Sequence, residues 1–464
     1  MFYDSLVGSN NDGTLSTEKG IAYKWEMSPD GLTWTFYLRE GIKFHDGVEL
    51  TSKDVKFTIE QVMRPDSRTT KAESVRATVA KVGFSDPYTV VIDCKVPTLY
   101  LAHMFSDVAS MEGLIMPKDY TERVGDQGFA SHPIGSGPYK FIDQAVGSYI
   151  KLEATDKHWR DGVPKYKYLT FLITPEESTR IAMLKTGEAD IIDIGREAIK
   201  EVKDAGFNVS MKPGAGTLGI YPHGQWADVP LSDIRVRKAL NLAINREELL
   251  QYLFAGQAKL GPTWPWAAEP LLGIGGDPTL KPYPYDPEEA KRLLKEAGYE
   301  GMELNIASFP RAGVPELSQT WEAIAGYWEN IGVKPKIHMT EYPAWRLRRQ
   351  AQDQLGWVSA ADIGSRFDHQ SALSLIRTQV HSTSDITQCK DPELDSLINR
   401  AESTMDIVEA EKLIGDIQRH IYDNYLMWGL IDLGYQVGTN TDILPWDMSM
   451  RPYDKNLYEL IRQK

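Results

Sequence analysis

From Leu32 to Leu38 apolar and polar residues alternate, with Leu32, Trp34, Phe36 and Leu38 recurring at a period of two, the pattern of a strand that buries one face. With Lys24-Trp25-Glu26-Met27 and the turn residues Ser28-Pro29-Asp30-Gly31 before it, this strand predicts a hairpin. Thr51 and Asp54 place a hydroxyl and an acid three residues apart, which caps a helix over 55–62. The glycines and prolines of 132–141 predict a tight turn entering a strand. Residues 165–171 read as a strand, 176–186 as a helix stopped by Gly187, and 190–194 as a short buried strand, an alternation that predicts a βαβ crossover. Leu218-Gly219-Ile220-Tyr221 is strand-like, and Ser232 opens a helix with Val236, Ala239, Leu240, Ala243 and Ile244 on one face. Asp286-Pro287-Glu288-Glu289 supplies a cap, a first-turn proline and two acids, and Gly298 closes that helix. Residues 302–307 and 334–339 read as strands around a helix through Trp321, Ala325 and Trp328; two more helices follow Asp391-Pro392 and Ile407.

At about 150 residues per domain, 464 residues imply two or three structural units. Hydrophobic residues at 42% and charged residues at 25% are a globular balance, and no tandem repeat or low-complexity tract is present. The net charge of −14 disfavours nucleic acid and anionic membrane surfaces as partners. No window approaches the ~18 apolar residues of a spanning helix, and no export signal precedes Met1. Cys94 and Cys389, far apart and without metal-ligand spacing, read as two buried free thiols.

Gly214-Ala215-Gly216-Thr217-Leu218-Gly219 satisfies G-x-G-x-x-G, yet it leads into strand-like residues rather than a helix start, so it reads as backbone crossing between lobes, not a dinucleotide site. The nine histidines show no metal-binding spacing, and neither a metal nor another cofactor is expected. Ser136 lacks a nucleophile elbow and reads as a turn residue. Paired acids such as Asp190 and Asp193 read as solvated faces, so no catalytic constellation is assembled and no enzyme activity is expected. Aromatic and polar residues do gather where neither helix nor strand is expected: His223 and Trp226 in 221–226, Trp264 and Trp266 in a proline-locked loop suited to a lid, and Trp357, Asp362, Arg366, Phe367 and His369 in 356–369. Such loops suit the enclosure of a small molecule, and these nine residues are the candidate ligand contacts.

The order of several further motifs resembles the family 5 solute-binding proteins, the dipeptide, oligopeptide and nickel-complex receptors of ABC importers. These are Trp25-Glu26-Met27-Ser28-Pro29-Asp30-Gly31 with Gly41-Ile42-Lys43-Phe44-His45-Asp46-Gly47, Gly135-Ser136-Gly137-Pro138-Tyr139, His158-Trp159, Gly187-Glu188-Ala189-Asp190, Asp233-Ile234-Arg235-Val236-Arg237 and Tyr285-Asp286-Pro287. The resemblance implies an α/β, two-lobed periplasmic-binding-protein-like fold (type II, cluster C). In it 1–25, 130–215 and 437–464 form lobe I, 26–129 an extra subdomain of lobe I, and 216–436 lobe II, with the ligand enclosed between lobes. It implies a monomeric receptor at the periplasm or cell surface that delivers its solute to the permease subunits of an importer. Family members carry an export signal and an opening strand before residues matching 3–7, so the resemblance implies a trimmed start.

Peptide-binding relatives hold the ligand's ammonium with an aspartate three residues after the tryptophan of a Gly-Trp pair; here that position is Ala360, with Asp362 two residues on. Arg366 offers a fork to an anion and Phe367 a stacking face. The ligand class therefore stays open between a peptide and a non-peptide solute such as an oligosaccharide, an opine-like anion or an aromatic acid; a cleft hydrolase is the alternative from another class. Asp362→Ala and Arg366→Ala are each expected to weaken ligand affinity without loss of fold, because each leaves a ligand charge unpaired. Trp264→Ala or Trp357→Ala is expected to cost ~1–3 kcal/mol of affinity. Titration calorimetry with circular dichroism separates the two effects, and unchanged affinity in both charge variants removes the loop from the site.

Overall fold

The alternation at 32–38 becomes a buried strand: Ala22–Met27 (β1) pairs antiparallel with Thr33–Leu38 (β2), and Trp34, Phe36 and Leu38 are buried while the residues between them are not. The structure is a computed structural model; it describes all residues except 12–13, 68, 70–71, 108–110, 264–276, 278, 310–313, 315, 361–371, 444–447 and 449–464. The chain divides into two units, the first made of Met1–Ile194, Ala198–Lys212 and Gln436–Lys464, the second of Gly195–Glu197 and Pro213–Tyr435.

In the first unit Ser52–Met63 (α1) starts at Thr51, whose N–H donates to Asp54 Oδ2 at 2.9 Å as the capping pattern requires. Val79–Asp86 (β3) and Thr89–Cys94 (β4) complete a four-stranded antiparallel sheet in the order β1-β2-β4-β3. Tyr139–Ala145 (β5), Tyr149–Ala154 (β6) and Tyr168–Leu172 (β7) form a second antiparallel sheet. The turn before β5 needs its glycines, since a Cβ on Gly135 would stand 2.1 Å from the Phe2 carbonyl oxygen and one on Gly137 2.3 Å from that of Met1. The expected βαβ crossover at 165–194 is not formed. Glu177–Thr186 (α2) does connect two strands, but β7 belongs to the β5-β6-β7 sheet, whereas Ile191–Ile194 (β8) pairs antiparallel with 436–439. Periodicity marks the elements but carries no information about a partner strand that arrives from the far end of the chain.

Asn208–Pro222 (β9), which contains the glycine run 214–219, passes from the first unit into the second. There Ile234–Leu242 (α3) is capped by the Asp233 carboxylate, which accepts from Arg235 N; Ser232 lies in the preceding turn, so the acid rather than the expected hydroxyl starts the helix. Ala258–Leu260 (β10) precedes Pro287–Ala297 (α4), which begins at Asp286 and ends on Gly298 in the left-handed region as its sequence predicts. A parallel crossover does form here, because Glu303–Ser308 (β11) and Lys334–Met339 (β12) pair in parallel on either side of Leu317–Asn330 (α5). Tyr342–Ala351 (α6) leads to Trp357–Ala360 (β13), parallel to β11 and antiparallel to β9, and Trp428–Thr439 (β14) pairs with β10. Leu218, Ile220, Leu304, Ile306 and Val358 pack with Leu240, Leu294, Trp321 and Trp328 into the core of this unit, and Trp328 Nε1 donates to the Leu240 carbonyl at 2.8 Å. Cys94 in the first unit and Cys389 in the second are both free and buried.

The short excursion Gly195–Glu197 is held in the second unit by a buried fork. Arg196 Nε and Nη2 donate to Glu316 Oε1 and Oε2, each at 2.8 Å, and the guanidinium lies 5.5 Å from the Phe254 ring centre. Both side chains are at most 5% exposed, so removal of one strands the charge of the other. Arg196→Met is expected to cost ~3–5 kcal/mol, and adding Glu316→Leu is expected to restore most of it. Chemical denaturation of the single and double variants measures this, and additive losses would show that the two carboxylate contacts carry no coupling.

Candidate functional site

The sheet of the second unit has two chemically different faces. Residues 220, 304, 306 and 358 point into the apolar core. The register then puts Tyr221 opposite Ser359, Asn305 beside Trp357, and Ala307 beside both Ser359 and His338, so the other face carries polar and aromatic side chains. His223, directly after β9, is tied to β13 by backbone bonds, its N–H donating to the Trp357 carbonyl at 2.8 Å and its carbonyl accepting from Gly356 N at 3.0 Å. Two of the candidate residues, His223 and Trp357, are thereby adjacent.

Trp357 was expected in irregular structure and instead opens a strand. The four residues Trp357 to Ala360 have a partner on each side, β9 and β11, and those ladders supply the hydrogen bonds that a run this short could not hold alone. Its ring is half-buried in an aromatic group: His338 at 4.6 Å, Trp345 at 5.8 Å, and the Arg348 guanidinium 4.6 Å from its centre. His338 Nε2 is 2.8 Å from Asn305 Oδ1, which fixes that ring.

His223 is completely buried. Its Nε2 lies 2.8 Å from Ser359 Oγ, its ring meets Trp345 edge-on at 5.3 Å, and Arg349 reaches over the neighbouring Tyr221 ring at 5.0 Å. Arg349, itself buried, donates to Gln379 Oε1 at 2.8 Å. Burial above all, then the Arg349 charge, holds the His223 imidazole well below its ordinary value and therefore neutral, with Gln388 opposing in a smaller way. Trp226, the third described candidate, is half-buried under Lys390, whose Nζ lies 4.8 Å from the ring centre. Trp264, Trp266, Asp362, Arg366, Phe367 and His369 lie outside the described residues.

The sequence reading passed over Trp345, Arg349 and Ser359. Their signals are present but weak: Trp345 and Arg349 stand one helical turn apart on α6, and Ser359 shares the face of Trp357 by alternation. Chemically the arrangement offers a neutral histidine, a hydroxyl, buried amides and flat rings, a set suited to holding groups by hydrogen bonds and stacking. Among the described residues no three His, Cys, Asp or Glu side chains come together as a metal site.

Because His223 stays neutral in the folded chain but takes up a proton near pH 6.5 when unfolded, stability is present above that value and is lost as pH falls below it. The slope reaches about 1.4 kcal/mol per pH unit from this residue alone. Urea unfolding of the wild type and His223→Gln at about pH 7 and about pH 5 is expected to show a larger acid loss in the wild type, and equal losses would mean that His223 is charged when folded.

Comparison with known proteins bears on the family and the fold. Residues 17–384 match the family model of the bacterial extracellular solute-binding proteins, family 5 (middle). The glutathione-binding protein GsiB of Salmonella paratyphi A is 31% identical over 342 residues, which cover 72% of this chain and 63% of that protein. The matched stretch thus spans less than two thirds of that relative. The heme-binding protein A of Haemophilus influenzae is 28% identical over 467 residues, covering 94% of this chain and 82% of that protein. Among solved structures, HbpA2 from Haemophilus parasuis aligns with a TM-score of 0.85 at 23% identity, covering 100% of this chain and 94% of its own. DppA from Helicobacter pylori in complex with the peptide STSA aligns with a TM-score of 0.69 at 22% identity, covering 100% and 92%. Likeness at these identities speaks to the fold, and the α/β architecture of both units is that of these proteins.

Proposed function

Since the chain belongs to the bacterial extracellular solute-binding proteins, family 5, we propose that it captures a small organic solute outside the cytoplasmic membrane and hands it, chemically unchanged, to the permease of an ABC importer. The observation that carries this reading is the extent of the family match, 17–384, which covers most of each unit. The names of the relatives support a receptor rather than an enzyme: they are binding proteins for glutathione and heme, and one solved structure holds a peptide. No helix among the described residues is long and apolar enough to cross a membrane, which accords with a carrier that meets its permease from outside.

The solute in this reading is a peptide or another small organic molecule, taken up by a monomer. The stack of Trp357, His338 and Arg348 supports a ligand with a flat or apolar part nearby, and Asp362 with Arg366 supplies the charges for an ammonium or a carboxylate. Asp362 favours a peptide amino terminus, while Arg366 alone would favour an anion.

Native mass spectrometry of the freshly purified chain, followed by denaturation and identification of what is released, tests the reading. An intact peptide or other organic solute at one equivalent per chain is expected. Steady conversion of that solute by the purified protein, or a stable complex with no small molecule under any supplied mixture of peptides, sugars and organic acids, would overturn it.

A further inference from the structure

His45 joins two stretches of the first unit that are far apart in sequence, its own turn at 44–48 and the glycine turn at 135–137, and its bonds to the second are all to backbone. The His45 N–H donates to the Gly135 carbonyl at 2.8 Å, the Gly135 N–H donates to His45 Nδ1 at 3.2 Å, and His45 Nε2 lies 2.9 Å from the Gly137 carbonyl oxygen. A backbone N–H only donates and a carbonyl only accepts, so Nδ1 presents the lone pair and Nε2 carries the proton. A second proton can enter only at Nδ1, where it would meet the Gly135 N–H head-on.

The same glycine turn holds residues 1–4. Gly137 N donates to the Phe2 carbonyl at 2.8 Å, Tyr139 N to that of Met1 at 3.4 Å, and Asp4 N to Ser136 Oγ at 3.4 Å, while Met1 and Phe2 pack against Tyr139 and Leu152. Residues 5–7 are gripped elsewhere: Leu6 N donates to the Gly113 carbonyl at 2.8 Å, Val7 N to that of Phe105 at 3.2 Å, and the Ser5 carbonyl accepts from Ile21 N at 2.9 Å. The charged and titratable groups that face the His45 ring are Asp4, Lys140 on β5 and His158 beyond β6; on its own turn stands Asp46, whose Oδ1 accepts from Val48 N at 3.1 Å. Asp4 Oδ2 in turn accepts from Trp159 Nε1 at 2.8 Å and lies 3.3 Å from His158 Nε2. Burial above all disfavours the His45 imidazolium; the Gly137 carbonyl and Asp4 oppose this, Lys140 and His158 add to it, and the balance holds the ring below its ordinary value.

We propose that His45 is an acid-sensitive fastener: a proton taken from solvent at Nδ1 displaces the Gly135 N–H, opens the 135–137 turn and lets residues 1–4 lift from the first unit, while residues 5–7 stay seated. Only hydrogen bonds are broken in this step. The closed turn holds the neutral ring and the open turn lets it titrate near 6.5, so opening gains as pH falls below that value, by up to about tenfold per pH unit.

Amide hydrogen exchange of the intact chain, read by NMR together with the His45 ring nitrogens, tests this. The expected result is the Nε2–H tautomer at about pH 7 and, on acidification to about pH 5, a fall of roughly tenfold in the protection factors of Gly135, Gly137 and Tyr139, with the amides of the β2–β4 ladder unchanged. His45→Gln is expected to flatten that fall. The proposal is overturned by the Nδ1–H tautomer, by protection that is the same at both pH values, by a fall shared with the β2–β4 ladder, or by an equal fall in His45→Gln, which would assign it to His158. A fall confined to more acid solution would belong to Asp4 and overturn it too: burial raises that carboxyl, but His158, Arg160 and Trp159 together hold it below its ordinary value.

Discussion

The antiparallel pairing of β9 with β13, Ile220 against Ala360 and Pro222 against Val358, is the constraint on which the second unit rests. Because side chains alternate along a strand, this register decides at once what enters the apolar core and what enters the polar layer behind it. A slip of one residue would send Val358 into the histidine layer and Ser359 into the company of Trp321 and Trp328. The same pairing places His223 against the Trp357 carbonyl. Both candidate ligand contacts described in this region thus owe their positions to the backbone before any side chain is considered.

Much of the architecture was legible in the sequence where local chemistry decides it. The cap at Asp286, the glycine stop at Gly298 and the alternation through Trp34 and Phe36 are each settled within a few residues. The two strands and the helix between them at β11, α5 and β12 were also readable, while their parallel pairing comes from the structure. What failed was partner choice: β8 looks like the second strand of a crossover until 436–439 arrives to pair with it. The family resemblance, carried by motifs in order rather than by periodicity, held over residues 17–384.

The candidate site was legible in part for a physical reason. Aromatic residues in segments between clear elements attract attention, which brought out Trp357 and His223, but burial of a polar side chain leaves no mark in composition. Arg349 looks like any arginine on a helix, and only packing reveals it as buried over Tyr221 and bonded to Gln379. Buried groups of this kind gain from hydrogen-bonding neighbours, and the layer supplies an amide to Arg349 and a hydroxyl to His223. A neutral histidine beside a buried guanidinium is stable as long as nothing nearby invites a second positive charge.

The two thiols give the chain a pair of internal clocks. Cys94 belongs to the first unit and Cys389 to the second, both are buried, and burial pushes both thiols up, so the reactive thiolate is scarce and shielded while each unit is folded. A thiol reagent therefore labels each position only when its own unit opens, and peptide mapping of the label after timed exposure reads the opening of the two units separately in one sample. The same silence of the native thiols leaves a cysteine engineered onto either surface as the fast-reacting position, ready to carry a fluorophore.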